Sequence, residues 1–140
     1  MFNLDMNRAD AIKRVQVVWE DTPAATLCVA IVDAIAGGVL ERLTFGQLYL
    51  LAKKSKAADA DIARALQYLT GSDLHLLDTE FEFIDENEET FYFDSEEIGV
   101  ASREGALFHP ETGDSIENYK DRLFPTFVPS SLAKEISSNE

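Results

Sequence analysis

Apolar residues recur along the chain at two different spacings, one typical of helices and the other typical of strands. In the first segment Ile12, Val15 and Trp19 lie three to four residues apart among polar side chains. This spacing places them on one face of a helix, so the pattern predicts an amphipathic helix over residues 5–20. Such a helix needs an apolar surface to pack against.

The second segment predicts a helix that is buried on most of its surface. Thr22 is a favourable cap for a helix, and Pro23 is a favourable first-turn residue. The sequence that follows, AATLCVAIVDAIA, is apolar at nearly every position and stops at Gly37 and Gly38. We therefore expect this helix to lie at the centre of the domain.

Two shorter helices and a hairpin are predicted next. After a short strand candidate, VLERLTF, Thr44 and Gln47 have the spacing of a capping box and predict a helix to about Lys54. Another helix is predicted over about 59–70, ending at Gly71. The segments LHLLDTEFEFI and TFYFD then alternate or run aromatic as strands do, with the acidic turn DENEE between them.

Regular patterns become sparse after Ile98. The segment HPETGD indicates a turn, and the two prolines of RLFPTFVPS hinder both a helix and a central strand. We predict an extended arm over 99–140, with SSLAKEI as a last short helix. The chain is thereby divided into an N-terminal amphipathic helix at 1–21, a domain at 22–98 and this arm.

The order of helix, short strand, capped helix, turn, helix and hairpin resembles that of the winged helix-turn-helix superfamily. The segments that carry the resemblance are TFGQLYLLAKKS, DADIARALQYLTG and LHLLDTEFEFIDENEETFYF, within residues 22–97. The resemblance implies an α+β fold with a winged-helix-like helical core and a β-hairpin wing, flanked by the N-terminal helix and the extended C-terminal arm. Members of this superfamily often bind duplex DNA through the third helix, whose matching outward positions here are Arg64, Gln67, Tyr68 and Asp61.

The charge of the hairpin departs from the pattern of DNA-binding members. From Asp78 to Glu97 there are ten acidic residues and no Lys, Arg or His, and the whole chain has a formal net charge of -14. Duplex binding commonly neutralises on the order of 6–10 phosphates with cationic side chains, whereas the third helix offers only Arg64. We therefore expect no direct binding of nucleic acid.

The surplus of acidic residues in the hairpin favours a basic partner. A small domain is soluble with a net charge of magnitude about 2–8, and a merely solvated strand face is expected to carry mixed charges. The apolar face of the hairpin is expected to consist of Phe81, Phe83, Phe91 and Phe93. The predicted partner-binding residues, including two aromatic residues of the arm, are Glu80, Glu82, Asp85, Glu86, Glu88, Glu89, Phe124 and Phe127. Alternatively, the arm packs across its own domain.

The apolar stripe of the first helix has two interpretations. It lies outside the winged-helix-like core, so Ile12, Val15 and Trp19 predict a self-association surface and a homodimer about a two-fold axis. In the competing interpretation, the stripe packs against the central helix of its own chain and completes the core.

The sequence contains no residue set that indicates catalysis. Cys28 lies among apolar residues, where a thiol usually behaves as a small buried hydrophobe. His75 and His109 lack the spacing of a metal site, and glycine-rich phosphate loops, nucleophile elbows and zinc-protease motifs do not occur in the sequence. We therefore predict a protein that is not an enzyme, with no catalytic residues, no bound metal and no cofactor.

Composition favours the cytoplasm. A single cysteine cannot form an internal disulfide, the N-terminal segment lacks a leader pattern, and no apolar run is long enough to span a bilayer. We expect a cytoplasmic protein without membrane contact, acting as a non-enzymatic adaptor that uses its acidic hairpin against a basic protein surface. Two alternatives are a DNA mimic that inhibits a nucleic-acid-binding protein and a winged-helix transcription regulator.

Overall fold

The computed structural model describes residues 6–138, and within them the chain has an α+β fold. The predicted helix start at residue 5 and the last residues of the arm, 139–140, lie outside this range. The described residues form two compact units, one of residues 6–78 and 127–138 and the other of residues 79–126. In chain order the elements are α1 (Arg8–Trp19), α2 (Pro23–Ala36), α3 (Phe45–Ser55), α4 (Asp59–Thr70), β1 (Leu77–Ile84), β2 (Thr90–Asp94), α5 (Ser95–Glu104), β3 (Leu107–Phe108), β4 (Ser115–Ile116), β5 (Leu123–Pro129) and α6 (Ser131–Ser138), with a 3-10 helix at Tyr119–Arg122.

The first unit is a helical bundle built around α2. This helix contacts α1, α3, α4 and α6, and its buried residues include Leu27, Cys28, Ile31 and Val32. The prediction of a central, buried second helix is confirmed. A helix that is apolar on nearly every face must be covered from several sides, and four neighbouring helices provide that cover.

The first helix belongs to the core of this bundle. Val15 is fully buried, and Ile12 and Trp19 pack against the same core. The Trp19 ring also meets Tyr68 edge to face, with 6.0 Å between the ring centroids. The apolar stripe that motivated a self-association surface is therefore covered by the chain itself. The structure also groups α1 with α2 in one unit, whereas the sequence pattern divided them at residues 21 and 22.

Reciprocal hydrogen bonds fix the start of α3 where the sequence predicts it. Thr44 Oγ1 accepts from the Gln47 N–H at 3.3 Å, and Gln47 Oε1 accepts from the Thr44 N–H at 3.1 Å. The strand predicted just before this helix is reduced to a single bridge, in which Leu43 and Phe127 exchange backbone hydrogen bonds.

The second unit contains the predicted hairpin. β1 and β2 are antiparallel, with Phe81 opposite Phe93 and Phe83 opposite Phe91, so all four rings share one face. Phe83 and Phe93 are buried there, and α5 packs against β2 and β3. Phe91 packs against this core, so the expected apolar face is confirmed for three of the four rings, whereas Phe81 is half-buried and lies outside the cluster. β3 and β4 form a second, smaller hairpin.

The segment predicted as an extended arm contains more regular structure than expected. It includes most of α5, the small hairpin and β5, which lies beside β1 in a sheet of order β2–β1–β5. The start of α5 is capped by Asp94 and Glu97, whose side chains each accept the other residue's backbone N–H. Pro125 and Pro129 are tolerated because β5 is an edge strand, where a missing N–H need not cost a ladder bond. The predicted last helix is confirmed as α6.

Candidate interaction surface

The negative charge of the chain is concentrated in the second unit. Residues 79–126 contain fourteen Asp and Glu and three Lys and Arg, which gives them a net charge of -11 out of -14 for the whole chain. Like charges at this density destabilise a compact unit through self-repulsion. A functional use of the charge would explain why the unit retains it.

The predicted partner-binding acids differ in their exposure. Glu86, Glu88 and Glu89 are exposed at the tip of the hairpin. Glu80 and Glu82 are half-buried, and they alternate with the phenylalanines of β1, so they lie on the opposite face of the sheet.

Asp85 is buried and organises the hairpin tip. Its Oδ1 accepts from the N–H groups of Asn87 and Glu89, both at 2.9 Å, and its Oδ2 lies 3.0 Å from His109 Nε2. The bond to His109, followed by those to the backbone, holds the pKa of the Asp85 carboxyl below its ordinary value. Both oxygens are therefore engaged within the chain, and the prediction that Asp85 contacts a partner is corrected.

His109 connects the hairpin tip to the turn between β3 and β4. Its Nδ1 accepts from the N–H groups of Glu111 at 3.1 Å and Thr112 at 3.3 Å, so this nitrogen carries no proton. Nε2 therefore carries the proton and donates to Asp85, while the ring lies edge-on to Phe91 with 4.9 Å between centroids. Since both nitrogens are engaged, the pair acts as a structural clamp and is not arranged as a general base.

An open cleft of about 480 Å³ lies beside this clamp. Its lining combines the apolar side chains of Phe83 and Ile116 with the carboxylates of Glu86 and Asp114. Arg122 also lines the cleft, and its Nη1 donates to the Asp85 backbone carbonyl at 2.9 Å. The cleft therefore has a lining of net negative charge. The guanidinium of Arg122 does not offset this charge at a carboxylate, because it is hydrogen-bonded to a backbone carbonyl.

Acid is expected to weaken the hairpin tip through Asp85. Because the pKa of this carboxyl is lower in the folded chain, its stabilising contribution is complete above the unfolded value, about 3.9. That contribution is lost as the pH falls through the folded value. Asp85→Asn should be less stable than the wild type at neutral pH but lose less stability between about pH 5 and about pH 2.

Urea unfolding at a series of pH values measures this difference. Asp114→Asn is the matched control, since Asp114 lines the same cleft and is exposed. Equal pH slopes for the wild type and Asp85→Asn would contradict the assignment of Asp85 as the carboxylate that orders the tip.

The face of the sheet opposite the four phenylalanines carries aromatic residues among carboxylates. On β1 and β2, Glu82 lies directly across from Tyr92, and Glu80 lies directly across from Asp94. Tyr92 is 50% exposed and Phe124 is 48% exposed. Sequence reasoning missed Tyr92, although the alternation of FYF in β2 places it on the face opposite its two phenylalanine neighbours.

The two aromatic residues predicted from the arm have different environments. Phe124 is exposed, whereas Phe127 is buried in the core of the first unit. The Phe127 ring meets Phe45 edge to face, with 6.0 Å between centroids. The prediction of Phe127 as a partner-binding residue is corrected, because the arm packs on its own domain at this position.

The residues predicted to face DNA do not form a cationic surface. Arg64 and Gln67 are exposed on α4, and Arg64 Nη1 lies 3.4 Å from Asp61 Oδ1. Tyr68 is half-buried, and its hydroxyl donates to Asp73 at 2.7 Å. The one cation of this helix is thus paired with a neighbouring acid, which does not favour phosphate binding.

Cys28 is buried among apolar residues, and each of the two histidines is bonded to a carboxylate. Burial in α2 raises the pKa of the Cys28 thiol to about 12, so the nucleophilic thiolate is scarce at neutral pH. His75 bonds Asp78 at 2.6 Å, and His109 belongs to the clamp. Within residues 6–138 no group of three or more His, Cys, Asp or Glu is arranged to hold a metal ion.

No family model, curated protein or solved structure matches the chain. Among the described helices, none has the length and apolar character needed to cross a membrane. Function is therefore inferred from the chemistry of the surface.

Proposed function

We propose that the second unit is a protein-protein interaction module that binds a basic protein surface and catalyses no reaction. The observation that carries this proposal is the net charge of -11 within residues 79–126, with Glu86, Glu88 and Glu89 exposed at the hairpin tip. Complementary charge accelerates the encounter of two proteins and selects their relative orientation.

The hairpin tip holds its carboxylates on an ordered backbone. The Asp85 N–H donates to the Glu89 carbonyl at 2.9 Å, and the Glu88 N–H donates to the Asp85 carbonyl at 3.0 Å. The side-chain bonds of Asp85 and His109 add to these turn bonds. A loop that is already ordered loses less conformational entropy on binding, which supports a role in recognition.

In this proposal the protein is an adaptor of a cytoplasmic assembly. The first unit supplies the scaffold, and its α3 and α4 would correspond to the helix-turn-helix of a winged-helix domain. A DNA-binding regulator is disfavoured by the pairing of Arg64 with Asp61. A DNA mimic would use the same acidic surface, and its target would be a protein groove that normally holds a duplex.

Neutralising the tip is expected to weaken partner capture. The triple change Glu86→Gln, Glu88→Gln and Glu89→Gln removes three exposed charges, each worth about 0.2–1 kcal/mol in an ion pair. The expected loss of affinity is therefore on the order of 3- to 150-fold, and it should shrink as salt is raised. Immobilised protein is exposed to lysate, the retained partner is identified, and its affinity for both forms is measured.

The matched control changes three exposed acids of the first unit by the same net charge: Glu20→Gln, Asp21→Asn and Glu41→Gln. Equal affinity of the partner for the tip variant and this control would contradict the proposal. A submicromolar Kd for random duplex at about 150 mM salt would instead indicate a DNA-binding regulator. Release of the captured partner by competing duplex would identify a DNA mimic.

A further inference from the structure

We propose that the basic surface recognised by the hairpin tip lies on a second copy of this chain, at the C-terminal end of α3. This inference rests on the proposed function and names the partner. The receiving surface is the lysine patch, which consists of Lys53, Lys54 and Lys56, together with the exposed side chains of Tyr49 and Leu50 beside it. All three lysines are exposed, and among the described residues no ion pair joins any of them to an acid.

Apolar side chains lie next to the lysine patch on the outer face of α3. Tyr49 is 54% exposed and Leu50 is 64% exposed. They precede Lys53 and Lys54 by four residues, a spacing that makes side chains neighbours on a helix surface. The helix dipole accounts for cations in the last turn, but it gives no reason to expose an aromatic ring and a leucine beside them. Apolar groups that exclude water strengthen the neighbouring ion pairs because they lower the local dielectric, and this favours a docking surface.

The hairpin tip matches the lysine patch in charge and in extent. Glu86, Glu88 and Glu89 lie within four consecutive residues, as do the three lysines. The tip contains a tight turn, closed by the hydrogen bond from the Glu88 N–H to the Asp85 carbonyl at 3.0 Å, so the Cα atoms at its ends are less than about 7 Å apart. Three residues of rise along a helix cover about 4.5 Å. Three carboxylates and three ammonium groups are thus presented over comparable distances.

Both surfaces keep a charged residue where the backbone is left-handed. The φ angle is 63° at Glu88 and 58° at Lys56. This conformation is costly for residues with a Cβ atom, and glycine or asparagine usually occupies it in hairpin turns and at helix ends. The tip and the patch therefore each retain a charged side chain in spite of a conformational cost, as expected if the charge is used.

The distribution of charge allows one copy of the chain to approach another in this way. Residues outside 79–126 carry only -3 of the net charge of -14, so the lysine patch lies on the less acidic part of the molecule. At physiological salt, interactions between exposed charges are largely screened beyond about 8 Å, so the charges in contact outweigh the repulsion between two acidic chains. Arg8, Arg14 and Arg64, by contrast, each pair with an acid of their own chain.

Self-association of the full chain is measured by sedimentation velocity over a series of protein concentrations. Association that grows with concentration is expected at about 0.15 M salt, and it should weaken at about 1 M, where the screening length falls to about 3 Å. Changing the lysine patch to glutamine should lower the association constant by about 3- to 150-fold, because three exposed ion pairs are lost. A wild type that remains monomeric up to about 1 mM, the Kd of a very weak complex, overturns the proposal.

Charge exchange between two variants tests the pairing itself. The first variant reverses the lysine patch: Lys53→Glu, Lys54→Glu and Lys56→Glu. The second reverses the hairpin tip: Glu86→Lys, Glu88→Lys and Glu89→Lys. Each variant alone should be monomeric, because its tip and its patch carry charges of the same sign, whereas an equimolar mixture should associate. A mixture that stays monomeric although both variants are folded by circular dichroism contradicts docking of the tip on the patch.

Glycine substitutions separate a loss of docking from a loss of stability. Lys56→Gly and Glu88→Gly each remove one charge but suit the left-handed backbone, so the unfolding midpoint should not fall. Each should still lower the association constant by about 1.4- to 5-fold. Asn118→Gly is the matched control, since Asn118 is also left-handed, with a φ of 55°, and belongs to neither surface. Equal association of all three glycine variants would count against the proposal.

The outcomes distinguish this inference from the proposed function. If the wild type stays monomeric but the glutamine variant of the tip weakens capture of a different basic protein, the interaction module stands and only the identity of its partner is wrong. If the chain self-associates but the charge-exchanged mixture does not, the lysine patch is not the docking surface. If the chain stays monomeric and the tip variant leaves capture unchanged, both proposals fail.

Discussion

Val15→Glu is expected to unfold the first unit, whereas Val17→Glu on the same helix should leave it folded. Val15 is fully buried in the core that α1 shares with α2, while Val17 is 73% exposed. A carboxylate without a partner in an apolar core costs several kcal/mol, which is comparable with a typical total stability of about 5–15 kcal/mol. The exposed substitution should change stability by no more than about 0.5 kcal/mol. Urea unfolding followed by circular dichroism measures both effects.

The same pair of variants shows whether the apolar stripe on α1 belongs to a dimer interface or to the core of its own chain. If the stripe formed the seam of a homodimer, Val15→Glu would produce a folded monomer. If it completes the core, as the packing of Ile12 and Trp19 indicates, the variant unfolds at every protein concentration. Light scattering and circular dichroism together distinguish the dimer interface from the core. A folded, monomeric Val15→Glu would support the dimer interface.

Local patterns predicted the helices and the hairpin because their determinants lie close together in sequence. The Thr44 and Gln47 cap and the phenylalanine alternation of the hairpin each act within a few residues. The same capping pattern is present at Asp94 and Glu97. These acids also belong to the acidic run of the hairpin, which hides the capping pattern, so the sequence analysis places most of α5 in the arm.

Features that depend on distant residues could not be predicted in this way. The partner of Asp85 is His109, 24 residues along the chain, and no local spacing links a turn histidine to a hairpin tip. The neighbour of β1 at the sheet edge is β5, beyond the hairpin and α5. The prolines of that segment predict against a central strand, but they are compatible with an edge strand, where one side of the backbone makes no ladder bonds.

The candidate surface was predicted in its charge but not in its geometry. Composition located the acids between Asp78 and Glu97. Which of them face solvent depends on internal partners, and this is why Asp85 belongs to the clamp while Glu86 is exposed. The aromatic component of the surface required the sheet order, since Tyr92 and Phe124 lie on strands that are distant in sequence.

Phe83→Ala is expected to destabilise the second unit by about 3–5 kcal/mol, the usual cost of removing a fully buried phenylalanine side chain. Phe83 is among the largest fully buried side chains and meets Phe93 edge to face at 6.4 Å. The second unit has a small core, so little apolar area remains to compensate. Phe108→Ala is the control, since an exposed ring of the same unit should cost less than about 1 kcal/mol.

The two units can be followed separately in this experiment. The single tryptophan, Trp19, lies in the first unit, so its fluorescence reports that unit, while hydrogen exchange at the amides of β1 and β2 reports the second. Selective loss of protection in the hairpin would show that the second unit opens on its own, and partner capture should fall with it because the carboxylates lose their fixed positions. Full protection in Phe83→Ala would contradict the assignment of Phe83 as the centre of that core.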